Sequence, residues 1–172
     1  MPTNVEIKAR VSDPIALAAL VRTLSDSPPQ TLHQLDTFFV CSHGRLKLRQ
    51  PGTGEGELIW YDRPNTAESK RSDYLIAAVA DPTTLRDVLE RAWGVTQVVE
   101  KTRTLYRVGQ TRIHLDEVVG LGSFVELEVV LRDGQAESEG HRIAAALMAR
   151  LGIAATDLLT GAYAEMVSRD PE

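Results

Sequence analysis

Thr3-Asn4-Val5-Glu6-Ile7-Lys8-Ala9-Arg10-Val11 is the stretch whose reading decides the fold. With a period of two, Val5, Ile7, Ala9 and Val11 fall on one face and Asn4, Glu6, Lys8 and Arg10 on the other, as strand geometry requires. A half-buried strand with its charged face in water looks the same. Later segments repeat the pattern, however, and several carry little but cations or carboxylates on the polar face. Many such strands in one small protein point to a charged interior as well as a charged exterior.

At 172 residues, 43% hydrophobic and 25% charged, the chain suits one substantial globular domain over 1–172. A net charge of -5 argues against general nucleic-acid binding, so local clusters of cations need a local explanation. The single Cys41 excludes an intramolecular disulfide and fits a reducing compartment. No signal-peptide pattern and no run of about 18 apolar residues is present, so the expected location is cytoplasmic, away from membranes.

Asp13-Pro14 marks a helix start, with Asp as N-cap and Pro in the first turn, followed by an apolar stripe through Leu24 and a stop at Ser27-Pro28-Pro29. Strands are expected over 31–42, 44–50 and 58–61, with Pro51 to Gly56 as a hairpin tip. That tip lacks the Gly-Lys-Ser/Thr ending of a phosphate-binding P-loop. After a polar linker at 65–69 the plan repeats: a strand over 70–79, a helix start at Asp81-Pro82, then strands near 97–108, 110–119 and 124–133. The order of elements predicts two related halves, about 1–66 and 67–133. Eight such strands suffice to close a small antiparallel barrel. A helix over 137–151, stopped by Gly152, and a short helical segment over 156–167 complete an α+β fold.

The polar faces carry the chemistry. Arg45, Lys47 and Arg49 share one strand face, Lys101 and Arg103 another, and Lys8 and Lys70 join them. Opposite in sign stand Glu6, Asp116, Glu126 and Glu128, with Asp116 on the same face as Arg112 and His114. Enclosed in one barrel, cations alone would repel and desolvate at high cost, so they require a polyanion. Carboxylates alone would require hard cations such as Mg²⁺, Mn²⁺ or Ca²⁺. A triphosphate with a divalent metal satisfies both.

Taken singly, each alternating strand also suits a solvated face, and Lys70 and Arg63 read most readily that way. Three cations in line at Arg45-Leu-Lys-Leu-Arg, or two carboxylates at Glu126-Leu-Glu, gain nothing on a neutral surface. His114 reads equally as a core residue, a surface residue or a proton shuttle. Trp60, Phe38 and Phe39 read as core, and Arg22, Arg86 and Arg91 as solvent-facing helix charges.

Asn4-Val-Glu-Ile-Lys-Ala-Arg, Arg45-Leu-Lys-Leu-Arg, Lys101-Thr-Arg-Thr-Leu-Tyr, and above all Thr111-Arg-Ile-His-Leu-Asp-Glu-Val-Val-Gly-Leu-Gly-Ser-Phe-Val-Glu-Leu-Glu carry a resemblance to a known family. The chain resembles the CYTH family of triphosphate tunnel metalloenzymes, and within it the class IV adenylyl cyclases. The resemblance implies an eight-stranded tunnel with triphosphate on its basic residues and Mg²⁺ or Mn²⁺ on its acidic ones. It assigns metal to Glu6, Asp116, Glu126 and Glu128, and phosphates to Lys8, Arg45, Lys47, Arg49, Arg63, Lys70, Lys101 and Arg103. Lys8 and His114 become the catalytic candidates, His114 by assisting proton movement. One position departs: the family's Glu-x-Glu-x-Lys has Asn4 in place of its first Glu, which removes a charge from any metal site there.

The implied reaction is cyclisation of ATP to cyclic AMP and pyrophosphate. Alternatives are hydrolysis of inorganic tripolyphosphate or thiamine triphosphate, and non-catalytic sensing of nucleotides or polyphosphates. The implied partner is a small triphosphate, with a homodimer compatible and no nucleic acid or membrane expected.

Overall fold

The computed structural model describes residues 2–167; Met1 and 168–172, the ends of the expected 1–172 domain, lie outside the described residues. The elements run β1 (Thr3–Arg10), α1 (Pro14–Leu24), β2 (Gln30–Phe39), β3 (Arg45–Pro51), β4 (Gly56–Asp62), β5 (Lys70–Val79), α2 (Pro82–Trp93), β6 (Val95–Val108), β7 (Thr111–Val118), β8 (Gly122–Val130), α3 (Glu137–Leu151), a 3-10 turn (Ala155–Asp157) and α4 (Tyr163–Val167). Both expected helix starts form. Asp13 accepts from the Ala16 N–H at 2.9 Å and Asp81 from the Thr84 N–H at 3.0 Å, each satisfying a donor that the first turn leaves unpaired.

The strands close an antiparallel barrel in the order β1-β5-β4-β3-β2-β6-β7-β8. Closure leaves no exposed edge. Exchanging β1–β4 for β5–β8 leaves this ring order unchanged, as a duplicated unit, proposed over about 1–66 and 67–133, requires.

Most apolar faces point outward, so the larger part of the hydrophobic core lies outside the barrel wall, while Phe38, Val99 and Phe124 pack with Tyr163 at one end of the cavity. Ile7, Ala9, Ile113, Val125 and Leu127 pack with Val21, Leu147 and Leu151 of α1 and α3. Phe39 and Leu48 pack on Leu89 of α2. Removing an Ile- or Leu-sized side chain from water in this layer is worth roughly 1.5–3 kcal/mol. Gly140 allows α3 to lie this close, because a Cβ there would come within 2.7 Å of Val5. With the apolar residues spent on the outer layer, the alternate residues of every strand face inward.

Element limits differ from expectation where pairing decides them. β2 starts at Gln30 and stops at Phe39, where its register against β6 shifts, rather than running to 42. The segment expected to be one helix over 156–167 is instead the 3-10 turn, an extended link and α4. The link is drawn out by the barrel: Leu158 bridges Ala9, and the Leu159 N–H donates to the Lys8 carbonyl at 2.8 Å. Among the described residues, no helix is long and apolar enough to cross a membrane.

Candidate triphosphate and metal site

The inward faces enclose a cavity of about 810 Å³, within the range of small-molecule sites. Its lining follows from register. Lys8 stands opposite Glu126 and Glu6 opposite Glu128 on β8. His114 stands opposite Glu126 and Arg112 opposite Glu128. Arg103 faces Asp116 across β6 and β7, and Asp36 faces Arg49 across β2 and β3.

Two ionic clusters result. In the first, Arg103 donates to both oxygens of Asp116 at 2.7 and 2.6 Å and also to Glu126, while Lys8 lies 3.1 Å from Glu126. In the second, Asp36 accepts from Lys47 at 2.9 Å and twice from Arg49 at 2.8 Å, with Lys101 at 3.6 Å. Around them Arg63 lies 3.3 Å from Glu6 and Arg112 lies 3.0 Å from Glu128. Seven cations therefore converge on five carboxylates, all of them buried except the half-buried Lys47, Arg49, Arg112 and Glu128.

The imbalance shows in the lysines. Burial first, then the Arg103 guanidinium, pulls Lys101 down to about 7. Burial and Arg49 pull Lys47 down to about 8. Burial lowers Lys8 as well. At the carboxylates, by contrast, neighbouring charges outweigh burial. Burial alone would raise Asp36, but Lys47, Arg49 and Lys101 outweigh it and hold the group well below its usual range. Lys8 and Arg103 likewise overcome burial at Glu126. Burial and Arg103 lower His114 and favour the neutral ring. The site is short of negative charge, and an anion with several oxygens would relieve it.

The candidates from sequence fall into three groups. Lys8, Lys47, Arg49, Lys101, Arg103 and Arg63 line the tunnel. Arg45 and Lys70 instead engage the C-terminal segment. Arg45 donates to Glu165 at 2.6 Å and Asn65 at 2.5 Å, and Lys70 donates to the carbonyls of Thr66 at 2.6 Å and Thr160 at 3.2 Å. The four acidic candidates do not form one cluster. Asp116 is committed to Arg103 and to the Tyr163 hydroxyl, which donates at 2.9 Å, and Glu6 to Arg63. Glu126 and Glu128 come together with His114, one donor atom of each lying within 4.8 Å of the others. This set fits a divalent cation by its chemistry: two anionic oxygen donors and a buried His114 Nδ1 without a hydrogen-bond partner among the described residues. The buried Asn4 Oδ1 also lacks a partner among them.

Two residues that matter here escape the sequence reading. Asp36 anchors the second cluster, and its only signal is that it shares the inward parity of Gln34 and Phe38. Tyr163 lies across one mouth of the barrel. Its ring sits 3.4 Å beneath the Lys8 ammonium and packs on Phe124 at 4.9 Å. No local pattern in the tail announces that contact.

The sequence matches the CYTH domain over residues 2–163. Among solved structures, the PH1012 protein of Pyrococcus horikoshii superposes with a TM-score of 0.84 at 23% identity, covering 94% of this chain and 98% of that one. A Vibrio parahaemolyticus protein proposed as an adenylate cyclase gives 0.74 at 22% identity, covering 96% and 97%. A Hippeastrum protein, proposed as an adenylyl cyclase and described as having a dominant triphosphatase activity, gives 0.67 at 15% identity, covering 100% and 98%. No curated protein matches this chain in sequence. The structural likenesses, all below 25% identity, establish the shared tunnel fold.

Proposed function

This chain belongs to the CYTH family, and from that premise we propose that it is a divalent-metal-dependent enzyme acting on triphosphates within its tunnel. The observation that carries the reading is the convergence of seven cations on five carboxylates in one tunnel, where burial and neighbouring guanidinium groups lower Lys101 to about 7 and Lys47 to about 8. A triphosphate supplies negative charge. Lys8, Lys47, Arg49, Arg63, Lys101 and Arg103 hold its oxygens, and the forked guanidinium of Arg103 suits phosphate as it suits the carboxylates it now holds. Glu126 and Glu128, with His114 beside them, would hold Mg²⁺ or Mn²⁺. When bound, that ion neutralises phosphate charge as a Lewis acid.

The leading reaction is cyclisation of ATP. The ribose 3′ oxygen bonds to the α-phosphorus, the bond from that phosphorus to its bridging oxygen breaks, pyrophosphate leaves, and the 3′ hydroxyl proton passes to solvent. The protein's part is to fix the phosphates so that the attacking and leaving oxygens lie in line, and to spread the developing charge over fixed cations. Hydrolysis of inorganic tripolyphosphate or thiamine triphosphate is the second reading. Tyr163 across one mouth favours it, because the charged length of the tunnel then holds phosphates without requiring a base.

The test is a product assay with Mg²⁺ and then Mn²⁺, offering ATP and tripolyphosphate separately, with Glu126→Gln as the blank. Cyclic AMP with pyrophosphate, lost in the blank, supports the cyclase. Orthophosphate without cyclic nucleotide moves the assignment to a triphosphatase. Binding of both substrates without turnover refutes an enzyme and leaves a polyphosphate sensor.

A further inference from the structure

His114 lies in the middle of β7 with its side chain only 6% exposed. Its Nδ1 has no hydrogen-bond partner among the described residues. That atom faces Glu126 Oε2 at 3.8 Å and Glu128 Oε1 at 3.7 Å, both too long for a hydrogen bond. The ladder fixes the arrangement: His114 is the cross-strand partner of Glu126, and Arg112, two residues earlier, is the partner of Glu128. The side chains of His114, Glu126 and Glu128 therefore rise from two adjacent, paired strands. A histidine kept only for packing would leave a buried nitrogen unpaired, which is costly. A proton shuttle would need an outlet toward a reacting group, whereas this nitrogen points at two carboxylates.

The remaining contacts of the two carboxylates show what is available. Glu126 Oε1 carries Lys8 at 3.1 Å and its Oε2 carries Arg103. Glu128 Oε2 carries Arg112 at 3.0 Å, leaving its Oε1 toward the imidazole. His114 Nδ1 and Glu128 Oε1 are thus ready donors. The Glu126 oxygens become so when Lys8 and Arg103 turn to a phosphate.

We propose that His114 ligates the tunnel's divalent cation through Nδ1, beside one oxygen each from Glu126 and Glu128, making a mixed imidazole–carboxylate site that prefers Mn²⁺ to Mg²⁺. The proposal rests on reading the tunnel as metal-dependent. Its selectivity follows from donor type. Mg²⁺ keeps to oxygen and gives up water reluctantly, whereas Mn²⁺, although the weakest binder of the first-row transition series and partial to carboxylates, also takes an imidazole nitrogen. Because cations now occupy the Glu126 oxygens, Mn²⁺ binds more tightly with tripolyphosphate present than without it.

The experiment uses the full chain, Mn²⁺ and inorganic tripolyphosphate. Loss of the free-ion electron paramagnetic resonance signal, read against protein-free Mn²⁺ and tripolyphosphate at the same concentrations because the polyphosphate itself chelates the ion, gives affinity, and electron spin-echo envelope modulation reports nitrogen bound to the ion. The expected result is ¹⁴N modulation in the unmodified protein, replaced on ¹⁵N-histidine labelling and abolished by His114→Gln. The substitution should weaken Mn²⁺ by roughly tenfold or more and Mg²⁺ by less, in competition. The unmodified protein carries the main readout, so a poorly folded variant does not blunt the test. Mn²⁺ bound without nitrogen modulation overturns the His114 assignment while metal dependence stands. If no Mn²⁺ is taken up even with tripolyphosphate, the metal-dependent reading falls and the His114 assignment with it.

Discussion

Asp36→Asn isolates the charge logic of the tunnel. The carboxylate is 1% exposed and accepts from Lys47 and Arg49 while facing Lys101. The amide keeps the shape and one acceptor but leaves Lys47 and Arg49 without their counter-charge and Lys101 with Asp116 at 3.9 Å. Removing one partner of a buried ion pair costs about 3–5 kcal/mol. The lower end applies, because the side chains of Lys47 and Arg49 remain 14% and 15% exposed. At about 2–4 °C per kcal/mol for a chain of this size, the variant should melt roughly 6–12 °C lower. Tripolyphosphate should close much of that gap, because the freed cations pair with it and ligand binding stabilises by mass action. The pH dependence has a definite sign. The folded carboxyl titrates well below its ordinary value, so its contribution is full above pH of about 4 and is lost as pH falls through the folded pKa. Differential scanning fluorimetry from pH 3 to 8, with and without tripolyphosphate, measures all of this. Equal melting temperatures near neutrality, or equal tripolyphosphate shifts in both proteins, would refute the reasoning.

Three further outcomes follow from the same geometry. Tripolyphosphate affinity should weaken from pH 7 to 9, because Lys101 and Lys47 titrate at about 7 and about 8 and the anion binds their charged forms. Isothermal titration calorimetry should show proton uptake on binding, and Lys101→Arg should flatten the profile between pH 7 and 8. Asn4→Glu places a carboxylate where a buried amide oxygen now lacks a partner; Mn²⁺ should bind roughly tenfold tighter as a ligand charge is gained, while the metal-free melting temperature falls. Tyr163→Phe removes the hydroxyl bonded to Asp116 and should cost about 1–2 kcal/mol. Tyr163→Ala also loses the ring against Lys8 and Phe124, and thermal melts should show about 3 kcal/mol or more.

The alternation in Thr3–Val11 and its repeats was enough to anticipate a closed barrel with charged residues on one face of each strand, because side-chain direction in a strand is a local, period-two property. Asp13-Pro14 and Asp81-Pro82 announced their helices for the same reason, since a cap acts within its own turn. Asp36 was not legible: one carboxylate in an aromatic strand gains its meaning only when register sets it between Arg49 and the strand of Lys101. Arg45 and Lys70 were legible as cations on strands but not as partners of the C-terminal segment.

Residue type and spacing thus determined which face of each strand was charged. Closure decided that this face was the interior, because the apolar faces could be covered only by helices packed from outside. Tertiary register alone decided which carboxylate neutralises which cation. It grouped Glu126 and Glu128 with His114, tied Asp116 to Arg103 and Tyr163, and laid residues 158–165 across one mouth. Those pairings join positions up to 155 residues apart, as Lys8 and Tyr163 are, where sequence carries no distance information.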